Sequence, residues 1–390
     1  MGKYALRGTL VLPDRLVERG LVVIDGERIA GILEPGAEAP PGLDRVLDYR
    51  GHYIAPGLID LHLHGALGRD VIDGGLEGLR DIASHQARCG VTGFVPTTLS
   101  APMAAIEQAV SSVREAARLD LPSEILGVHL EGPFLSPKKR GAHNPEFVKP
   151  INDDDLDALV EAGRGLRTII TVAPEVGDNL ARIPAIKEKG LTVSLGHTEA
   201  SYELARRSFE LGVSHATHLY NAMSGFSARE PGAVGAVLDA DGVTAELIAD
   251  GIHVHPASLR LAIRQKGISR TCLITDSMNA TGLEDGEYRV GGLDVVLRGG
   301  EARLKHGGAL AGSLLTLNRA VANIIRWAGV PVSDAVAMAS LTPAAVLGLD
   351  RELGSLAPGK IANLAVFDRE FRVVGLIFRG GPADTLPSPA

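Results

Sequence analysis

Aromatic residues, cysteines and positive charge are all in short supply in this chain, and each shortage removes a class of function. Phe, Trp and Tyr make up 4% of the 390 residues, and the formal net charge is -8. Nucleic-acid binders need stacking faces and a basic surface, so nucleic acid is not an expected partner. Only two cysteines are present, Cys89 and Cys272. That is too few for a disulfide scaffold and suits a reducing cytoplasm. Both are expected in apolar surroundings and read as inert thiols. No apolar run reaches the length of a membrane span, and Met1-Gly-Lys-Tyr-Ala-Leu-Arg7 lacks the apolar segment of a secretory signal. The expectation is a cytoplasmic chain with no membrane partner.

What is present is a long, orderly alternation. Apolar residues reach 45%, enough for a large core. Residues 3 to 50 read as short strands broken by turns: Val22-Val-Ile24, Arg28-Ile-Ala-Gly-Ile32 and Arg45-Val-Leu47, with Asp25-Gly26 turning between the first two. From Tyr53 the pattern changes, and strand-like and helix-like segments alternate to about residue 348. Strands are expected near 57–62, 91–97, 124–131, 167–173, 191–196, 214–219, 243–249 and 271–275. Between the first two, Leu76, Leu79, Ile82 and Ala83 share one helical face. Eight strands with helical returns predict an α/β fold, a (β/α)8 TIM-like barrel over residues 53–348. A hairpin near 284–305 should interrupt it, and helices near 313–328 and 333–347 should close it. Short strands resume at Ile361–Phe367 and Val373–Phe378, so segments 1–52 and 349–390 are expected to combine as a small β-sandwich domain. Pro382 to Ala390 reads as a mobile tail.

The chemistry-bearing residues fall where barrel strands end. In Gly127-Val-His-Leu-Glu-Gly-Pro-Phe134, alternation sends Val128 and Leu130 to one side and His129 and Glu131 to the other. Glu131 then sits at a carboxyl end, facing inward, where barrels assemble their sites. Alternation likewise puts His62 and His64 of Asp60-Leu-His-Leu-His-Gly65 on one face, where two imidazoles can grip one ion. His197, His218 and Asp276 end three later strands. Any one of them is ordinary as a satisfied core residue. Together, nitrogen and carboxylate donors without thiolate suit zinc, iron or another first-row divalent ion. His129 stands either as a support to a ligand or as a plain core histidine. His52, His85, His215, His255 and His306 take the structural reading.

The set Leu58-Ile-Asp-Leu-His-Leu-His64, His129-Leu-Glu-Gly-Pro-Phe134, Gly141-Ala-His-Asn144, Leu195-Gly-His-Thr198, Thr217-His-Leu-Tyr-Asn-Ala-Met223 and Ile274-Thr-Asp276 closely resembles the N-acetylglucosamine-6-phosphate deacetylase family of the amidohydrolase superfamily. The resemblance runs from about residue 50 to 320, and the flanking β units match as well. It implies that Glu131, His197 and His218 hold a metal ion. Because His62 and His64 are kept, it also implies a second ion per chain, with Glu131 bridging and Asp276 beside the first metal. The implied reaction removes acetate from N-acetyl-D-glucosamine 6-phosphate, in amino-sugar catabolism or cell-wall recycling. Metal-bound water, its pKa lowered towards about 7, would supply hydroxide. Asp276 would take the proton and return it to the departing amine, and a second metal or His143 would steady the oxyanion.

The resemblance also implies substrate contacts on the loops that follow the strands. Ala142 and His143 match positions that touch the sugar, on the segment Lys138–Pro145, which reads as a lid. Its run Lys138-Lys139-Arg140 reads as solvated lid surface rather than an anion site. Asn221 and Ala222 match positions near the phosphate, and Arg229 matches the arginine that binds it. Asp250, Gly251, Ile252 and His253 follow the seventh strand, with His253 a second phosphate contact that would cross the interface of a homodimer. Ala309, Leu310 and Ala311 match a loop lining the sugar. Two rivals stay open: another N-acyl substrate, such as a galactosamine 6-phosphate, and a sugar-phosphate binding protein without catalysis.

Overall fold

The computed structural model describes residues 2–37 and 40–382. Ala383 to Ala390, nearly all of the tail expected from Pro382, lie outside the described residues.

The valine- and isoleucine-rich segments at the two ends of the chain join in one seven-stranded sheet. Tyr4–Val11 lies within it, antiparallel to Leu16–Asp25 and parallel to Arg45–Pro56. Leu364–Phe367 pairs with the far part of Arg45–Pro56, and Val373–Phe378 follows it. The period-two pattern decides what each face buries. Leu6, Leu10, Val22, Ile24, Ile54, Leu364 and Val366 form a core of their own. Tyr53, Ala55, Phe367 and Leu376 face the other way and join the core of the barrel. The strand expected at Arg45–Leu47 runs on to Pro56, where Tyr53 to Pro56 pair with Leu364–Phe367.

Eight parallel strands make the barrel, all but a few of their residues buried: β1 (Leu58–Leu63), β2 (Val91–Thr98), β3 (Val128–Glu131), β4 (Thr168–Val172), β5 (Thr192–Leu195), β6 (His215–Ala216), β7 (Thr244–Ile248) and β8 (Thr271–Ile274). Each lies within a segment expected from the sequence or a residue beyond it. Burial on both faces is what a parallel sheet covered by helices requires. The covering helices present apolar stripes inward; Gly75–Arg88, for instance, buries Leu79, Ile82, Ala83 and Ala87. Their starts are capped where the sequence offers an acceptor: Asn152 takes the Asp155 amide, and Ser201 takes the Leu204 amide.

The ring closes between β8 and β1 at their carboxyl ends. The Asp276 amide donates to the His62 carbonyl at 2.9 Å, and the His64 amide donates to the Ser277 carbonyl at 2.7 Å. Closure therefore runs through the residues singled out for chemistry. Two expectations need correction. The insertion is a three-stranded meander, Gly286–Val290, Leu293–Arg298 and Glu301–Leu304, because Ala302 joins Val290, Val295 and Leu297 in a satellite core. The helix expected at 333–347 is two, Val332–Met338 and Leu341–Val346, separated by Ala339 and Ser340. Among the described residues no helix is long and apolar enough to cross a membrane.

Candidate metal centre and active site

Five strand ends deliver their polar side chains to one place. His62 comes from β1 and His64 directly follows it, Glu131 comes from β3, and His197, His218 and Asp276 follow β5, β6 and β8. His197, His218 and Asp276 turn out of their strands through left-handed backbone, at φ 47, 30 and 50. Each such non-glycine residue costs about 1–2 kcal/mol, and here the turn aims the side chain at the barrel axis.

The two oxygens of Glu131 face different partners. Oε1 lies 2.8 Å from His218 Nε2 and 3.1 Å from His197 Nε2. Oε2 lies 3.1 Å from His64 Nε2 and 3.5 Å from His62 Nε2. Asp276 Oδ1 stands 3.3 Å from His64 Nε2 and 3.6 Å from His62 Nε2. The result is two nests of donors sharing one carboxylate.

The nitrogens are tightly crowded. His62 and His64 bring their Nε2 atoms within 3.2 Å, and His197 and His218 within 3.0 Å. Neighbours fix the tautomers of three rings. His64 Nδ1 donates to the Thr97 carbonyl at 3.1 Å, His197 Nδ1 to the Lys139 carbonyl at 2.7 Å, and His62 Nδ1 to Glu246 Oε2 at 3.0 Å. Each neutral ring then carries its proton on the outer nitrogen and a bare lone pair inward. Lone pairs held this close repel unless a cation lies between them. Tetrahedral ligands about 2.0–2.1 Å from zinc sit roughly 3.3 Å apart. The donor set therefore fits a divalent ion at each nest.

Charge says the same. Burial pushes the Glu131 carboxyl up, but the His62 and His197 imidazoles outweigh it and hold it well below the usual carboxylate range. Burial also raises Asp276, and its bond to His64 more than reverses the shift. His64 is drawn down by burial, yet Asp276 and Glu131 lift it to about 9. His62 is lifted well above the ordinary range by Glu131 and Glu246 against burial. Three buried carboxylates thus call for positive charge, which protonated imidazoles or metal cations can supply.

His143 is different. Burial pulls it down to about 4, so it is neutral at physiological pH. Its Nδ1 accepts from the Ser100 amide at 3.1 Å, which leaves the proton on Nε2, 3.4 Å from Glu131 Oε2. Ser100 can approach because Gly132, at φ 99, has no Cβ; a side chain there would strike the Ser100 hydroxyl.

A cavity of about 330 Å³ opens above the two nests. Of the sequence-predicted positions, His64, Glu131, Ala142, His143, His197, His218, Asn221, Ala222, His253, Asp276, Ala309, Leu310 and Ala311 line it. His62 lies beneath them, fully buried. Arg229 does not line the cavity; it is exposed on the loop after Phe226. Asp250, Gly251 and Ile252 also stand outside the lining. The Asp250 carboxylate instead accepts from the Ile252 and His253 amides, both at 2.8 Å, and from His253 Nδ1 at 2.6 Å, which orients that ring. Lys138 and Lys139, read as lid surface, both reach the rim, and Lys139 pairs with Glu199 at 3.1 Å.

Below the centre lies a polar layer that sequence reasoning missed in part. His129 Nε2 meets Thr171 Oγ1 at 2.7 Å, and its ring lies against His62 with centroids 4.7 Å apart. His215, given a plain structural reading off the strand ends, lies on β6 and bonds Glu246 Oε1 through Nε2 at 3.0 Å. Glu246 was not singled out at all. Its only sequence signal is an acid in the middle of a buried strand, between Ala245 and Leu247.

Known proteins resemble this chain over most of its length. Residues 53–382 match the model of the Amidohydrolase family. An N-acetylglucosamine-6-phosphate deacetylase of Bacillus subtilis (strain 168) is 36% identical over 96% of this chain and 95% of its own. An N-acetylgalactosamine-6-phosphate deacetylase of Escherichia coli O157:H7 is 39% identical over 84% of this chain and 86% of its own. The crystal structure of a mutant N-acetyl-D-glucosamine-6-phosphate deacetylase from Mycobacterium smegmatis, in complex with N-acetyl-D-glucosamine-6-phosphate, superposes with a TM-score of 0.92 at 32% identity, covering 99% of this chain and 100% of that one.

Proposed function

Since this chain belongs to the amidohydrolase family, we propose that it hydrolyses N-acetyl-D-glucosamine 6-phosphate to D-glucosamine 6-phosphate and acetate. The observation that carries this reading is the double nest around Glu131, with Asp276 and a neutral His143 facing the same cavity. Glu131, His197 and His218 would hold one divalent ion, and His62, His64 and Glu131 a second. Asp276, expected beside the first ion, stands instead against His62 and His64 and would join the second. Zinc or iron suits the donors. When bound, such ions lower the pKa of water and polarise a carbonyl.

The protein's own groups do the rest. Asp276, low in pKa and open to the cavity, accepts a proton at a carboxylate oxygen as water adds to the amide carbon. It then delivers that proton to the amide nitrogen, which without it is a poor leaving group. His143 lines the cavity with its Nε2–H beside Glu131 Oε2, so it can donate instead to an oxygen that becomes negative there. All on the cavity wall, Ala142, Leu310 and Ala311 would offer apolar contact to the sugar, and Asn221, Ala222 and His253 would meet the phosphate. His253, expected to reach across a homodimer interface, lines this chain's own cavity, whereas Arg229 does not; in a homodimer it is Arg229 that would reach the phosphate from the second copy. The work belongs in the cytoplasm, in keeping with the free thiols Cys89 and Cys272.

A second reading has a specific observation in its favour: the relative at 39% identity is named for the galactosamine sugar. The two sugars differ in one hydroxyl. Acetate release should therefore be measured side by side on both phosphorylated sugars and on plain N-acetylglucosamine, with added zinc or iron. Faster turnover of the galactosamine compound would replace the first reading. Absence of turnover on all three would refute the deacetylase altogether.

A further inference from the structure

Glu246 has no part in the reaction just described, yet it is among the most fully engaged side chains in the barrel. It lies in the middle of β7, completely buried, and does not line the cavity. Oε2 accepts from His62 Nδ1 at 3.0 Å and from the His218 amide at 3.1 Å. Oε1 takes His215 Nε2 at 3.0 Å, and the Glu246 carbonyl accepts the Leu219 amide at 2.9 Å. One residue thus holds the ring of one candidate ligand and the backbone of another.

We propose that Glu246 is a positioning residue that makes the His62–His64 nest able to take an ion. The inference rests on the two-metal reading of the centre. Its physical basis is the difference between a carboxylate and every uncharged alternative. An ionised carboxylate only accepts hydrogen bonds, so it demands the proton on His62 Nδ1 and leaves Nε2 bare. An amide in its place can donate to Nδ1, which licenses the opposite tautomer and puts a proton where an ion must bind. The carboxylate's negative charge, passed through the ring, also makes Nε2 a stronger donor. The same oxygen secures the amide of His218, whose φ of 30 is unfavourable for a side chain of its kind. Both nests are therefore fixed relative to each other through one carboxylate buried below them.

A purely structural alternative exists, in which Glu246 serves only to satisfy His215. Metal uptake separates the two. Wild type, Glu246→Gln and His215→Gln are each stripped, titrated with zinc and assayed for ions per chain; melting temperature is followed with and without zinc. Wild type should bind two ions. Glu246→Gln should keep one and bind the other about 10- to 100-fold more weakly, and should lose part of the zinc-dependent rise in melting temperature. His215→Gln should keep both ions. Two ions at wild-type affinity in Glu246→Gln would overturn the assignment while leaving the two-metal reading intact. Equal loss from His215→Gln, or a Glu246→Gln chain that does not fold with or without zinc, would also overturn it, in favour of the structural role. A single ion in wild type would sink the two-metal reading itself, and this inference with it.

Discussion

The Ser100 amide points at Nδ1 of His143 from 3.1 Å, and this contact decides which ring nitrogen carries the proton. The Ser100 hydroxyl lies against the same nitrogen at 2.9 Å. A neutral imidazole with Nδ1 filled has to present Nε2–H, here beside Glu131 Oε2 at the cavity wall. His143→Ala should therefore lower kcat by about 10²–10³, the usual worth of one oxyanion donor, with a smaller change in KM. Ser100→Ala keeps the amide and should lose less than about tenfold. Steady-state kinetics on zinc-loaded protein check both. Wild-type kcat in His143→Ala would remove it from the chemistry.

Asp276 touches the His62–His64 nest and also faces the cavity, so metal holding and proton transfer must be separated. Asp276→Asn preserves shape and an oxygen but cannot take up a proton. Turnover should fall by about 10²–10⁴, while the ion held by Glu131, His197 and His218 remains. Measuring ions per chain on the sample used for kinetics makes the distinction. Near-normal turnover would rule out the proton shuttle.

Where chemistry follows strand alternation, the sequence was readable. His62 and Glu131 lie on strands, His64, His197, His218 and Asp276 just past strand ends, and their side chains meet around one point. What escaped has a common cause: it depends on partners far away in the chain. Glu246 gains meaning from a ring 184 positions away. The groups that set the tautomers of His64 and His197 are main-chain carbonyls of Thr97 and Lys139, which no side-chain pattern encodes. The third strand of the meander, Glu301–Leu304, has Ala302 as its one fully buried residue, too weak an alternation to read without Leu297 opposite.

The cysteines supply a test of burial. Cys89 is only half-buried as a residue, yet burial around its sulfur pushes the thiol up to about 12, and Cys272, fully buried, lies higher than usual as well. Thiolate is the reactive form, so reactivity falls with its fraction. At pH 8 a thiol with a pKa near 12 is ionised to about one part in 10⁴, against roughly a quarter for a free cysteine. Native protein should show almost no reaction with a disulfide reagent at pH 8, and two thiols should appear on denaturation. Rapid labelling of either in native protein would contradict this.

Arg229 is exposed, whereas His253 lines the cavity with its ring braced by Asp250. If Arg229 reaches the phosphate from a partner copy, Arg229→Ala and His253→Ala should each raise KM about 10- to 100-fold for the phosphorylated sugar, the worth of one charge-assisted bond. KM for the plain sugar should hardly move. Mixing inactive Asp276→Asn with Arg229→Ala should restore sites that are complete in both residues. Sedimentation of a monomer with full activity would dismiss the shared site.

Metal removal tests the whole centre through stability as well as activity. Without cations, the closely spaced imidazoles must share protons or repel, and Glu131, Asp276 and Glu246 stay buried with less positive charge beside them. An ion that binds the folded chain alone stabilises it by about 2.7 kcal/mol at a hundred times its Kd. For a chain of this length, an unfolding entropy of about 2 cal/mol/K per residue turns that into roughly 3 °C for each ion. Chelation followed by dialysis should abolish turnover and lower the melting temperature by about that amount per ion lost. Zinc should restore both, and the fall should be smaller in His62→Ala, which has one nest to empty rather than two. A melting temperature indifferent to chelation, in protein shown to be free of metal, would mean that the crowded nitrogens are relieved by protons alone.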